Sequence, residues 1–380
     1  MNRVDVIAYF GDDPTRAYQL IQWLPVLERL SAGSRVAIVT RDPDTARLIA
    51  GRTPLPVHEA VEFSALVDLY ERLDPAVALY CNNGMRNFQS LLQPRTLHVH
   101  INHGESDKMS MVSNNAKAYD RVFVAGEAAV QRHRSGLMEF DDAKLVRIGR
   151  PQLDLRPEPV LPPTPRWTVL YAPTWEGDAD YNDYTSVDVF GPRIVRSLLA
   201  LENTRVVYKP HPKVSTSLTP AIIAAHRQIL SILDAAAAED PDAGHVALCQ
   251  ADILAVFAGC DAMITDVSSV GLDWLYLQTD KPIFITDPYG DPERLRTEVP
   301  VSRCSDVLDD GNVDELHHLV AERLEHDEHR IARTAMRHHY FDDHRVGEST
   351  VRFLDSVSEL VRLRDSLVVH HDPDDAAATA

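Results

Sequence analysis

Four short clusters in this chain combine residue types that can hold a phosphate or move a proton. Each follows a run of apolar, β-favouring residues. They are Asn102-His103-Gly104-Glu105-Ser106-Asp107-Lys108 after Thr96–Ile101, Ala172-Pro173-Thr174-Trp175-Glu176-Gly177 after Thr168–Tyr171, Lys209-Pro210-His211-Pro212 after Arg205–Tyr208, and Thr265-Asp266-Val267-Ser268-Ser269, which closes Ala262–Thr265. An imidazole before a glycine, as in His103-Gly104, stays approachable and can take a hydroxyl proton near neutral pH. His211 lies between two prolines with Lys209 two residues earlier, a stiff, locally cationic strand end that suits a pyrophosphate. Asp266, Ser268 and Ser269 are helix-start residues ahead of Val270, Leu272, Trp274, Leu275 and Leu277. A strand that stops there and opens into a helix leaves backbone N–H groups at the positive end of a dipole, a ready phosphate site. Each cluster also has a plainer alternative: a hydrogen-bonded structural histidine, a proline-stiffened turn, or ordinary capping by Ser269. Thr174 and Trp175 can wall a ligand cleft or belong to the core.

Other chemistries find less support. His98 and His100 share a strand face, but no cysteine or spaced carboxylate completes a ligand set, so no metal site is expected. The GxxxxGK(S/T), HExxH and GxSxG patterns are absent, and Gly11-Asp12-Asp13 is not a GxGxxG. No cofactor is expected. Cys81, Cys249, Cys260 and Cys304 are far apart with no CxxC, as in a chain with reduced thiols. A formal charge of −19 disfavours nucleic acid and bulk attraction to an anionic membrane. The first residues form a strand-like run instead of a signal segment, and no stretch reaches the ~18 apolar residues of a membrane span. These features predict a cytoplasmic protein whose membrane contact is at most peripheral.

The elements that must position the four clusters alternate between strand and helix patterns. Val4–Phe10, Arg35–Thr40, Val57–Val61, Ala76–Cys81, Thr96–Ile101, Arg121–Ala125 and Leu145–Ile148 read as strands, with one helix predicted over Thr15–Leu30 and others between the later strands. Arg156–Pro165 holds five prolines and reads as a stiff linker. The alternation then restarts, from Thr168–Ala172 to Pro282–Thr286. The expected fold is α/β: two doubly wound Rossmann-like domains, residues 1–155 and 167–345, joined by a linker over 156–166 and facing across a cleft. A C-terminal helix, 346–369, is expected to pack back across the seam, with a disordered tail at 370–380.

Taken in order, the clusters resemble the CDP-glycerol glycerophosphotransferase family of teichoic acid synthesis, whose members have the two-domain GT-B fold. His103-Gly104 with Lys108 resembles the family's His-Gly-Thr-x-x-Lys, with Glu105 in place of threonine. Tyr171-Ala172-Pro173-Thr174-Trp175 matches its Tyr-Ala-Pro-Thr-Trp. Lys209-Pro210-His211-Pro212 resembles its second histidine site. Thr265-Asp266-Val267-Ser268-Ser269, continuing to Asp280-Lys281-Pro282, resembles its Thr-Asp-Tyr-Ser-Ser and Asp-Lys-Pro, with Val267 in place of an aromatic residue. The resemblance implies transfer of glycerol phosphate, or a related polyol phosphate, from a CDP-activated donor to an acceptor hydroxyl, with release of CMP. The acceptor would be a polyol phosphate or a glycan, lipid-linked in polymer-building relatives that work at the inner face of the membrane. His103 would be the base and His211 would offset charge on the leaving group. Lys209, Thr265, Asp266, Ser268, Ser269 and Thr174 would hold the donor, and Gly104, Glu105 and Lys108 would lie on the acceptor side. Turnover is expected to need no metal. The alternative readings are a GT-B nucleotide-sugar glycosyltransferase releasing UDP or GDP, and a binding module that has lost its chemistry.

Overall fold

The computed structural model describes residues 3–108, 111–177 and 182–371. The chain divides into two compact units, one of residues 1–104, 112–155 and 341–380, the other of residues 105–111 and 156–340. Each is an all-parallel sheet covered by helices.

The first unit has seven strands: β1 (Val6–Phe10), β2 (Val36–Thr40), β3 (Val57–Glu59), β4 (Val77–Tyr80), β5 (Leu97–His100), β6 (Arg121–Val124) and β7 (Leu145–Arg147). Their order is β3-β2-β1-β4-β5-β6-β7, so the winding reverses between β1 and β4. Every residue of β1, β2 and β4 is buried, as an apolar strand covered on both faces must be. The second unit has six strands: β8 (Trp167–Ala172), β9 (Thr204–Tyr208), β10 (Val246–Ala247), β11 (Ala262–Thr265), β12 (Ile283–Thr286) and β13 (Asp306–Leu308). Their order is β10-β9-β8-β11-β12-β13, with the reversal between β8 and β11. Crevices at strand carboxyl ends beside such reversals are where open α/β sheets bind ligands.

Several elements depart from expectation. The single helix predicted over Thr15–Leu30 is three pieces: a 3-10 turn at Pro14–Arg16 and helices at Tyr18–Ile21 and Leu24–Leu30. Pro25 lacks an N–H and is tolerated only in a first helical turn, so the chain restarts there, with Trp23 buried at the break. Glu105–Met111 clusters with the second unit, not the first. The proline-rich segment is not a free linker: Val160 N donates to Ala255 O at 3.1 Å, and Leu161 is buried against Gly259, where a Cβ would come within 2.9 Å of Leu161 Cβ.

The last helix, Glu348–His371, returns to the first unit. Phe353, Val357 and Leu360 join the core that holds Trp23 and Phe123. Asp154 anchors its start, its two carboxylate oxygens accepting Gly347 N and Thr350 N at 2.5 Å each. The helix extends through His371, past the expected start of the tail at 370; residues 372–380 lie outside the described residues.

The helix Pro220–Glu239 corrects another expectation. It has 20 residues, and an 18-residue window within it has a mean hydropathy of 1.3, so by length and composition alone it is apolar enough to cross a membrane. Ile222, Ala225, Ile229 and Leu233 on this helix are buried in the second unit's core, and it packs against the helix Gly191–Leu199.

Candidate active site

In the second unit, Asp266 ties the strand ends at the reversal together. It is fully buried; Oδ1 accepts Thr286 Oγ1 at 2.6 Å and Oδ2 accepts Thr174 N at 2.7 Å and Ser186 N at 3.3 Å. Burial pushes this carboxyl up to about 6, with the surrounding donors pulling the other way. Thr265 is also fully buried, its hydroxyl donating to Ala172 O at 2.7 Å. These two side chains were expected to touch phosphate. Their polar atoms are instead spent on joining β8, β11 and β12, as groups with no access to water must be.

Ser268 stands at the N-cap of the helix Ser269–Leu277 in extended conformation, and its side chain makes no capping bond. Its Oγ is buried and has no partner among the described residues. The first N–H groups of the helix are therefore not satisfied by the residue that usually does so, and donors at a helix start are of the kind that can bond an anion.

After β9, Pro210 and Pro212 hold His211, whose Nδ1 accepts Lys213 N at 3.2 Å. In the neutral ring the proton then resides on Nε2, which can donate to a phosphate oxygen. The ring stacks on Trp175 at 6.0 Å between centroids, and Lys213 Nζ lies 3.6 Å from the Trp175 ring centroid. Lys213 was absent from the sequence expectation, because a cation over an aromatic face leaves no mark in spacing. Lys209, which was expected to supply the charge, is buried with Nζ donating to Pro210 O at 3.2 Å, and burial lowers its pKa.

Lys108 and Glu105 were expected on the acceptor side and are buried in the second unit instead. Lys108 Nζ donates to Asn182 O at 3.3 Å, and burial lowers its pKa, against a smaller opposing pull from Asp266 and Asp183. Thr174 is buried at the end of β8, its carbonyl accepting Thr185 Oγ1 at 3.0 Å.

His103 and Gly104 belong to the first unit. Asn102 before them is left-handed at φ 51°; its Oδ1 accepts His103 N at 2.8 Å and its carbonyl accepts Trp23 Nε1 at 2.6 Å. His103 Nδ1 lies 3.2 Å from Cys81 O, and Tyr18 meets the ring edge-on at 6.1 Å. A carbonyl can only accept, so Nδ1 carries the proton and Nε2 presents a lone pair. Burial lowers this histidine's pKa to about 4, which keeps it neutral at pH 7. His98, weighed as a metal ligand, spends Nδ1 on Tyr80 OH at 2.7 Å and Nε2 on Gln93 O at 3.0 Å. Elsewhere in the second unit, Glu315/His317/His318 and Asp306/Glu328/His329 bring three possible ligand atoms together, and Arg323 holds the Asp306 carboxylate at 2.9 Å.

The sequence model of the CDP-glycerol:poly(glycerophosphate) glycerophosphotransferase family matches residues 105–359. The chain belongs to this family. This glycerophosphotransferase shares its fold with solved structures of low sequence identity. One is a Listeria monocytogenes protein named as a candidate UDP-N-acetylglucosamine 2-epimerase, with 14% identity, a TM-score of 0.60 and coverage of 93% of this chain and 96% of that one. Another is the wall teichoic acid polymerase TagF, as a histidine-to-asparagine variant soaked with CDPG, with 13% identity, a TM-score of 0.58 and coverage of 95% and 89%. A third is HepE of Anabaena in complex with UDP and glucose, with 13% identity, a TM-score of 0.53 and coverage of 94% and 100%. No curated protein matches the chain. The family match and these neighbours make the α/β architecture that of the GT-B enzymes and the chain a transferase of CDP-glycerol type.

Proposed function

We propose that this glycerophosphotransferase takes CDP-glycerol, or a closely related CDP-polyol, into its second unit and passes the polyol phosphate to an acceptor hydroxyl deprotonated by His103. The observation that carries the reading is the His103 ring, neutral and fixed by Cys81 O with Nε2 as acceptor. The donor diphosphate is assigned to the N-terminus of the helix Ser269–Leu277, with Ser268 and Ser269, and to His211 Nε2–H and Lys213. Thr174, Thr265 and Asp266 set the loops that carry those groups, and Lys108 and Lys209 add positive charge beneath them. His103 takes the acceptor proton on Nε2 as the hydroxyl oxygen bonds to the glycerol-side phosphorus. The bond from that phosphorus to the bridging oxygen breaks, and CMP leaves with that oxygen. Negative charge spread over phosphate oxygens is met by positioned donors, without a covalent intermediate. A helix dipole, a lysine and an imidazole N–H fill the role a divalent ion has elsewhere, so turnover is assigned as metal-independent.

The acceptor is assigned as a polyol phosphate or glycan, carried on lipid, and the enzyme as cytoplasmic and peripheral at the inner face of the membrane. Incubation with CDP-glycerol, UDP-glucose and GDP-mannose separately, with the released nucleotide identified by chromatography, tests the reading. CMP from the first donor alone supports it. Release of UDP or GDP in place of CMP would assign the chain to sugar transfer.

A further inference from the structure

A single peptide group carries the chain from Asn102 into His103, and both of its polar atoms are held. β5 ends at His100, and Ile101 N still donates to Tyr80 O at 2.8 Å. Asn102 then turns the chain in the left-handed region at φ 51°, a conformation that side-chain-bearing residues keep only where their surroundings support it. In the peptide that follows, the carbonyl accepts Trp23 Nε1 at 2.6 Å and the N–H donates to Asn102 Oδ1 at 2.8 Å. The group is planar, so fixing its carbonyl also fixes its N–H and the point from which the His103 side chain sets out. The indole is a donor only, and this carbonyl takes its one N–H. Trp23 is itself immobilised. It is buried, it stacks at a tilt on Phe353 of the last helix with 5.2 Å between ring centroids, and it lies at the break between the helices Tyr18–Ile21 and Leu24–Leu30. The same short segment supplies Tyr18, which meets the His103 ring edge-on. A phenyl ring would fill most of this space, so packing alone does not call for an indole; the N–H does.

We propose that Trp23 is a positioning residue for His103: its indole N–H fixes the carbonyl of the left-handed Asn102 and so sets the direction in which the imidazole is presented. The proposal rests on the assignment of His103 as base. Trp23 acts through the peptide alone, so its removal changes the aim of the ring and leaves donor binding as it was.

Two variants of the full chain test this. One is Trp23→Phe. In the other, benzothienylalanine replaces Trp23; it keeps the bicyclic outline, puts sulfur where the N–H stands, and guards against misfolding of the first. The ring nitrogens of His103 are followed by nuclear magnetic resonance on protein with isotope-labelled histidine, its signals identified by their loss in His103→Ala. Wild type is expected to show a protonated Nδ1 and a bare Nε2, and both Trp23 variants a shift toward a mixture of the two tautomers. CMP release from CDP-glycerol is measured with glycerol 3-phosphate as acceptor. Both variants are expected to lower kcat about 10- to 100-fold with the KM for CDP-glycerol unchanged, the effect of a misplaced reacting group. In the His103→Ala background, Trp23→Phe is expected to change residual release by less than about twofold, because the group it positions is gone. Unchanged His103 resonances, or an equal loss of kcat in both backgrounds, overturns the proposal. If the resonances depend on Trp23 while His103→Ala keeps full CMP release, or wild type releases none, the positioning stands and the base reading falls. If His103→Ala abolishes release and the Trp23 variants keep the wild-type kcat, the base reading stands and the positioning role falls.

Discussion

The Asp266 carboxylate and the Thr286 hydroxyl meet at 2.6 Å where β11 and β12 end. With Thr174 N on the other oxygen, three strand ends depend on one buried side chain. Asp266→Ala strands at least two donors without water, at about 1–3 kcal/mol each. The expected loss is about 3 kcal/mol, read as a fall of roughly 6–12 °C in Tm for a unit of this size. Thr286→Val removes one bond and is expected to cost about 1 kcal/mol. If Asp266→Ala melted with the wild type, the carboxylate would not hold the loops, and a direct role at the ligand would return.

The His103 ring carries a lighter structural burden, one contact with the Cys81 carbonyl and one with the Tyr18 ring. His103→Ala is expected to lower kcat about 10²- to 10⁴-fold, the usual contribution of a positioned base, with the Kd for CDP-glycerol unchanged. Because burial holds its pKa near 4, kcat/KM is expected to stay flat from pH 8 to about 5 and to fall only below that. An acidic limb near the ordinary histidine value of about 6.5 would assign the base elsewhere.

How far these groups could be read from sequence depends on how local they are. The Thr265-Asp266-Val267-Ser268-Ser269 run announces a strand end and a helix start by itself, and the structure has β11 and a nine-residue helix there. What the run does not reveal is which side chains stay available. Thr265 and Asp266 are consumed by Ala172 and Thr286, partners 93 and 20 residues away. Trp23 went unnoticed for the same reason: the carbonyl that its indole holds lies 79 residues further along the chain. Lys108 follows His103 by five positions, yet it clusters with the second unit while His103 clusters with the first. In Thr15–Leu30 the apolar period persists across Pro25, so periodicity alone hides the break.

His100 is buried, stacked on Tyr119 at 5.2 Å, and its Nε2 has no partner among the described residues. Desolvation lowers its pKa to about 3, and burial lowers that of His98 as well. In the unfolded chain both titrate near 6.5, so below that pH the unfolded state takes up protons that the folded state refuses. Stability is thus fully present above about pH 6.5 and is lost as pH falls toward 3. For His100 alone the loss at pH 5 is about 2 kcal/mol, from the pH interval below 6.5 at 1.36 kcal/mol per unit. Asp266 and Asp107, whose pKa values are raised by burial, work in the opposite direction, so the comparison must be with a variant. His100→Phe keeps the stacked ring and removes the orphaned nitrogen. Urea midpoints at pH 7.5 and 5.0 are expected to differ less in this variant than in wild type, and an unchanged difference would exclude His100 as the source.

Lys213 and Lys209 flank the same histidine and separate by environment. Lys213 lies over the half-buried Trp175 ring beside His211, held by an attraction worth about 0.5–2 kcal/mol that leaves other faces of its ammonium open to a phosphate. Lys209 is buried with its ammonium on a backbone carbonyl. Lys213→Ala is therefore expected to raise the KM for CDP-glycerol about tenfold, roughly 1.4 kcal/mol, with Tm little changed. It is also expected to weaken the dependence of that KM on salt, because one phosphate-facing charge is gone. Lys209→Ala removes a buried stem and is expected to lower Tm by several degrees. If the two variants exchanged these phenotypes, with Lys209→Ala losing donor affinity and Lys213→Ala losing stability, the diphosphate would have to be met from beneath the strand end and not from the Trp175 face.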